Sequence, residues 1–99
     1  MTEQDVQSAI SKYLTKLGAY VVITIVTSRS GTPDLILSLN GKFIGIEVKL
    51  PGEKPRPLQE AHLHLINQSG GIAFAATSVA EVTAQLESHG LIPTAEFDV

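Results

Sequence analysis

Apolar positions recur along this chain with two periods, one helical and one of two residues, and together they mark seven elements. From Thr2 onward, Val6, Ile10, Tyr13, Leu14 and Leu17 return at helical spacing, which predicts one buried stripe on an amphipathic helix. Thr2 and Asp5 are spaced as a capping box at its start, and Gly18 suits a left-handed ending. "AYVVITIV", residues 19–26, is β-branched and almost wholly apolar, the pattern of a central strand buried on both faces. "TSRSGTP", residues 27–33, is small, polar and broken by Gly and Pro, so it reads as a loop.

Two apolar runs then flank Asn40-Gly41, which predicts a hairpin closed by a two-residue type I′ turn. In that register Leu39 faces Lys42, and Asp34 falls opposite Glu47. Leu35, Leu37, Leu39, Ile44, Ile46 and Val48 share one apolar face. The other face carries Asp34, Ile36, Ser38, Phe43, Gly45, Glu47 and Lys49. A slip of one residue would send an acid to the opposite face.

After the basic, proline-rich loop "LPGEKPRP", Pro57 suits the first turn of a helix through "LQEAHLHLINQS", which Gly70-Gly71 ends. "IAFAA" reads as a short strand. "SVAEVTAQLESHG" reads as a helix capped by Ser78 and ended near Gly90, and "LIPTAEFDV" receives no element. The order is α-β-β-β-α-β-α. A hairpin followed by a right-handed crossover to a parallel strand predicts an α/β fold, a mixed sheet with helices on its faces. At 99 residues this is one domain, residues 1–99.

Composition narrows the picture modestly. With 43% hydrophobic and 17% charged residues, the chain has the makeup of a globular protein. No apolar run approaches the ~20 residues needed to span a bilayer, and "MTEQDVQ" lacks the basic and apolar regions of a secretion signal, so the cytoplasm is the expected compartment. The absence of cysteine excludes disulfides and thiolate metal sites. A formal net charge of −3 means that any grip on nucleic acid is local rather than global.

The chemistry lies in the hairpin. Carboxylates directly opposite each other, with Cβ atoms about 4.5–5.5 Å apart, destabilise a sheet unless something offsets them. A divalent cation would do so, and hard Mg²⁺ or Mn²⁺ prefers oxygen ligands. Lys49 is the alternative, as a plain ion-pair partner. Spacing leaves both open.

The string "GTPD…GIEVK" resembles the PD-(D/E)XK nuclease motif, with Pro33-Asp34 on one strand and Glu47-Val48-Lys49 on the next. Glu3 in the first helix, the "SGTPD" lead-in and Gln59 after the lysine strand extend the likeness over nearly all of residues 2–80. The chain is similar to a small stand-alone VRR-NUC domain, the virus-type replication-repair branch of that superfamily. The resemblance implies a restriction-endonuclease-like fold and Mg²⁺ or Mn²⁺ held by Asp34, Glu47 and the main-chain carbonyl of Val48, with Glu3 as a further ligand. It implies Lys49 as the residue that orients the attacking water and steadies developing charge, and Gln59 as a water or phosphate contact. It also implies a homodimer that cuts branched DNA such as a four-way junction, with no nucleotide cofactor and no membrane association.

Arg29, Lys54 and Arg56 lie in the two flanking loops and are candidates for phosphate contacts, against ordinary solvated loop charge. His62 and His64 are two apart, on different sides of a helix, and make a poor metal pair. His89, near a helix end, fits a dipole contact. The rival readings are a non-catalytic nucleic-acid-binding accessory module and a structural dimer whose cluster is a salt bridge.

Overall fold

Thr2 caps the first helix as its sequence predicts. Its hydroxyl accepts the Asp5 N–H at 3.2 Å, and its own N–H donates to Asp5 Oδ2 at 2.8 Å. The computed structural model describes residues 1–94. Helix α1 spans Glu3–Lys16, and β1 (Tyr20–Ile23), β2 (Leu35–Leu39) and β3 (Lys42–Val48) follow; then come α2 (Pro57–Gln68), β4 (Ile72–Ala76) and α3 (Val79–Ser88). The tail left without an element forms none over residues 91–94, and its remainder lies outside the described residues.

The four strands form one sheet in the order β1-β2-β3-β4. β1 and β2, and β2 and β3, pair antiparallel, while β3 and β4 pair parallel across the α2 crossover. Asn40 (φ 50°) and Gly41 (φ 79°) both take the positive φ that a type I′ turn demands.

One face of the sheet presents Leu35, Leu37, Leu39, Ile44, Ile46 and Val48, all buried, to Val6, Ile10 and Leu14 of α1 and Val82 and Leu86 of α3. Leu17 stands outside that stripe because it is the C-cap residue, beyond the last full turn, and it is exposed. The opposite face is covered by α2 over β3 and β4 alone. Small residues make room there: Gly45 pairs with Ala73, Glu47 pairs with Ala75, and a Cβ on Gly45 would sit 2.9 Å from Ile66 Cδ1.

The strand expected to be central is the sheet's edge. β1 is four residues long rather than eight and pairs with β2 alone, and Tyr20, Val22 and Ile23 are all exposed. Beyond it Ile25 and Val26 are each 90% exposed. The run is apolar enough for the middle of a sheet, but α2 stops short of it, so that side has no cover among the described residues. No described helix is long and apolar enough to cross a membrane.

Candidate active site

The hairpin register runs from Leu39 opposite Lys42 to Leu35 opposite Ile46. One step further along it, Asp34 meets Glu47. Asp34 follows the buried Pro33 and is anchored from the β1 side. Its carbonyl accepts the Thr24 N–H at 2.9 Å, and the Thr24 hydroxyl donates to the carbonyl of Pro33 at 2.7 Å. Asp34 Oδ2 accepts the Val48 N–H at 2.9 Å, which turns the carboxylate toward β3.

Glu47 is only 2% exposed, and Lys49, two residues on, is 8% exposed. Lys49 Nζ lies 3.6 Å from Glu47 Oε2, close enough for Coulomb attraction but too far for a hydrogen bond. Glu47 Oε1 accepts no hydrogen bond, the single buried side-chain polar atom in that state among the described residues, while the Glu47 carboxyl lies close enough to Asp34 to share a proton with it. A buried acceptor left unmade costs about 1–3 kcal/mol. Burial, and then the charge on Asp34, push the Glu47 carboxyl up to about 7 against the opposing pull of Lys49.

This donor set fits a hard divalent cation. It offers an orphaned carboxylate oxygen, a second carboxylate beside it and main-chain carbonyls, all oxygen. Among the described residues no three His, Cys, Asp or Glu side chains converge on one point, so two carboxylates are the side-chain ligands available. Mg²⁺ is commonly held through one or two carboxylates with water completing its shell.

Glu3, in the first turn of α1, is brought to the rim of this cluster. Its carboxyl is raised chiefly by a hydrogen bond with Glu53, further by burial, Glu53 and Asp34, and lowered by Lys49. Glu53 was missed by sequence reasoning. It follows a tight turn in which its N–H reaches the Leu50 carbonyl at 3.0 Å, while its Oε1 accepts the Leu50 N–H at 2.7 Å. That bond first, and Glu3 second, hold its carboxyl below the usual range. The available signal was Gly52, a turn residue placed directly after the lysine strand.

Gln59 has a structural task in this geometry. Its Oε1 accepts the Arg56 N–H at 2.8 Å at the start of α2, leaving its amide nitrogen without a partner among the described residues. Lys54 and Arg56 are exposed on the loop that carries Glu53. Arg29 stands apart from them, lining a cavity of about 380 Å³ with His62, Leu65, Ile66 and Ser69 of α2 and its cap. His62 is buried and His64 exposed, and they do not meet as a pair. His89 Nδ1 lies 2.8 Å from the Gln85 carbonyl at the end of α3.

Residues 2–80 match the family described as "VRR-NUC domain". "Putative nuclease p44" of Acyrthosiphon pisum secondary endosymbiont phage 1 is 36% identical over 58 residues, which are 58% of this chain and 62% of that protein. Only 62% of that phage relative's length is thus spanned. A solved "VRR_NUC domain" superposes with a TM-score of 0.75 at 30% identity, covering 88% of this chain and 95% of its own. A second, "VRR_NUC domain protein", has the same fold at a TM-score of 0.71 and 18% identity, covering 88% and 86%. The matched span holds every residue of the cluster from Glu3 to Gln59, and on that breadth of agreement the chain belongs to the VRR-NUC domain family.

Proposed function

We propose that this protein is a nuclease that hydrolyses DNA phosphodiesters with Mg²⁺ or Mn²⁺ bound between Asp34 and Glu47. The orphaned Oε1 of Glu47 carries the reading. A fold that buries a carboxylate oxygen with no partner, next to a second carboxylate, is stable only with a proton or a cation there, and oxygen donors favour the hard cation. Asp34 and Glu47 would hold the ion with the Val48 carbonyl, and Glu3, at the rim of the same cluster, would add its charge. When bound, the ion lowers the pKa of water and offsets charge on the phosphate.

The chain's own groups supply the rest. The Val48 N–H fixes the Asp34 carboxylate against β3, where its charge acts on Glu47. Lys49, tied to Glu47 only by charge, keeps its N–H donors for the attacking water and for the negative charge that grows on the phosphate oxygens. Gln59 has its amide nitrogen left for a water or a phosphate oxygen. Lys54, Arg56 and Arg29 hold neighbouring phosphates, which position the strand without reading its sequence. With no element spare for base readout among the described residues, the substrate we infer is a branched structure, a four-way junction or a flap, taken by a homodimer with two sites.

The rival is an accessory module that binds nucleic acid and cuts nothing. The test is a panel of labelled linear, flap, nicked and four-way DNAs with Mg²⁺ or Mn²⁺, alongside Asp34→Asn and Lys49→Ala. Cleavage that needs the metal and falls at least about 100-fold in both variants supports the nuclease. Binding without cleavage under every condition establishes the module instead.

A further inference from the structure

His62 is a buried polar side chain that the cluster above does not use. It is 9% exposed and makes no hydrogen bond among the described residues, so its ring nitrogens keep contact with solvent, Glu47 Oε1 being the one fully buried atom there without a partner. It forms part of the wall of the 380 Å³ cavity between α2 and the β1–β2 loop. His62, Leu65, Ile66 and Ser69 fall on one stripe of the helix at spacings of three and four. Arg29 lines the same cavity from the loop.

The loop lies tight against that stripe, since a Cβ on Gly31 would sit 2.8 Å from Leu58 Cγ and 3.2 Å from His62 Cδ2. Three residues further along the loop is Asp34. One helical turn before His62, about 5 Å along the axis, is Gln59. The cleft thus begins one helical turn from Gln59, runs along α2 toward Ser69, and shares its β1–β2 loop with Asp34.

Its lining is amphipathic in a specific way. Arg29 is a permanent cation with forked donors suited to a phosphate. The imidazole of His62 and the hydroxyl of Ser69 can each donate or accept, and Leu65 and Ile66 give an apolar wall. The volume is near the lower end of the roughly 300–1,000 Å³ typical of small-molecule sites. The cleft is shallow and open to solvent, with Arg29, Leu65 and Ser69 exposed, so it offers a surface for one nucleotide rather than an enclosed pocket.

We propose that this cleft seats one unpaired nucleotide of the DNA strand, with its phosphate on Arg29, its base edge on His62 and Ser69, and its ring against Leu65 and Ile66. The proposal rests on the nuclease reading and deepens it. A nucleotide reaches such a seat only where the strand leaves its duplex, so the cleft selects branched or frayed DNA over continuous helix.

The experiment is an NMR titration of the metal-free protein, in EDTA, with thymidine 5′-monophosphate. Inorganic phosphate and thymidine are titrated separately. The His62 ring signals are expected to shift saturably with the nucleotide, while phosphate or thymidine alone binds at least about tenfold more weakly. Arg29→Gln, at an exposed loop position that leaves folding intact, is expected to weaken nucleotide binding about tenfold. Lys12→Ala on α1 is expected to leave it unchanged. In cleavage assays, Arg29→Gln should lower kcat/KM for splayed DNA several-fold more than for uninterrupted duplex.

An unshifted His62 ring overturns the seat, as does phosphate binding as tightly as the nucleotide, or an Arg29→Gln protein that binds like its parent. So does an equal fall in kcat/KM on both substrates. A protein that takes the nucleotide at His62 yet cuts no DNA would remove the nuclease reading alone. One that cuts DNA but ignores the nucleotide would remove the seat alone.

Discussion

Glu47 is buried before its oxygens are satisfied, and its titration follows from that. Its carboxyl stands at about 7, against 4.5 when solvated, because burial and Asp34 both disfavour its charge. Between those values the folded chain holds a proton that the unfolded chain has lost. Stability is therefore greatest below about pH 4.5 in this group's share and falls as pH rises through 7. In EDTA the melting temperature should drop from pH 5 to pH 8 by at least about 4–8 °C, the equivalent of roughly 1 kcal/mol in a domain of this size. Glu47→Gln should flatten that slope and raise the pH 8 value, and Mn²⁺ should restore the parent protein while leaving the variant unmoved. A slope that Glu47→Gln does not change would assign the pH dependence elsewhere. Because a proton competes with the cation for the same oxygen, Mn²⁺ affinity measured by calorimetry should weaken up to about tenfold per pH unit below 7. Asp34→Asn keeps an acceptor for the Val48 N–H but removes the neighbouring charge. It should stabilise the metal-free protein while abolishing cleavage, the trade expected where function keeps two like charges together.

The elements differ in how openly the sequence declared them. Asn40-Gly41 set the hairpin register, and with it the shared face of Asp34 and Glu47, because a type I′ turn accepts few other residues and no slip in pairing. Caps at Thr2 and Ser78 fixed the starts of α1 and α3 for the same local reason. β1 was misread since an apolar run states only that cover is wanted, not which partner supplies it. Glu53 and the His62 cleft escaped because they depend on how a loop lies against a distant element. Gly31 is where that dependence can be tested. Its φ is +86°, and a Cβ there would meet Leu58 Cγ at 2.8 Å and the Leu58 carbonyl at 3.0 Å. Gly31→Ala should cost about 1–3 kcal/mol, from a left-handed backbone and from contact with helix backbone that cannot yield. It should also displace Arg29 and Asp34 together, so cleavage should fall more than the lost stability predicts. Urea unfolding and single-turnover cleavage of the same preparation check this, and a variant that loses neither would detach the loop from α2.

At the scale of the molecule the unbalanced feature is the β1 side of the sheet. Edge strands of soluble proteins are blunted by lysine, proline or a bulge, because a bare edge pairs with whatever strand it meets. β1 carries none of these: Tyr20, Val22 and Ile23 are uncharged and exposed, and Ile25 and Val26 extend the patch into the following loop. A second copy is the partner that the proposed activity needs, since a junction with two-fold symmetry takes two cuts from two sites. Antiparallel contact between two β1 edges is isologous and closes after one step. The free protein should sediment as a dimer at micromolar concentration. Ile25→Lys with Val26→Lys, both at positions 90% exposed and so without cost to the core, should shift it to monomer. The same change should turn paired incision of a four-way junction into two independent nicks. If the lysine variant stays dimeric, the second copy binds elsewhere and β1 is bare for another reason; if the parent protein is itself a monomer, paired cutting by two associated copies is excluded, while the hydrolysis proposed for Asp34, Glu47 and Lys49 of a single chain is left standing.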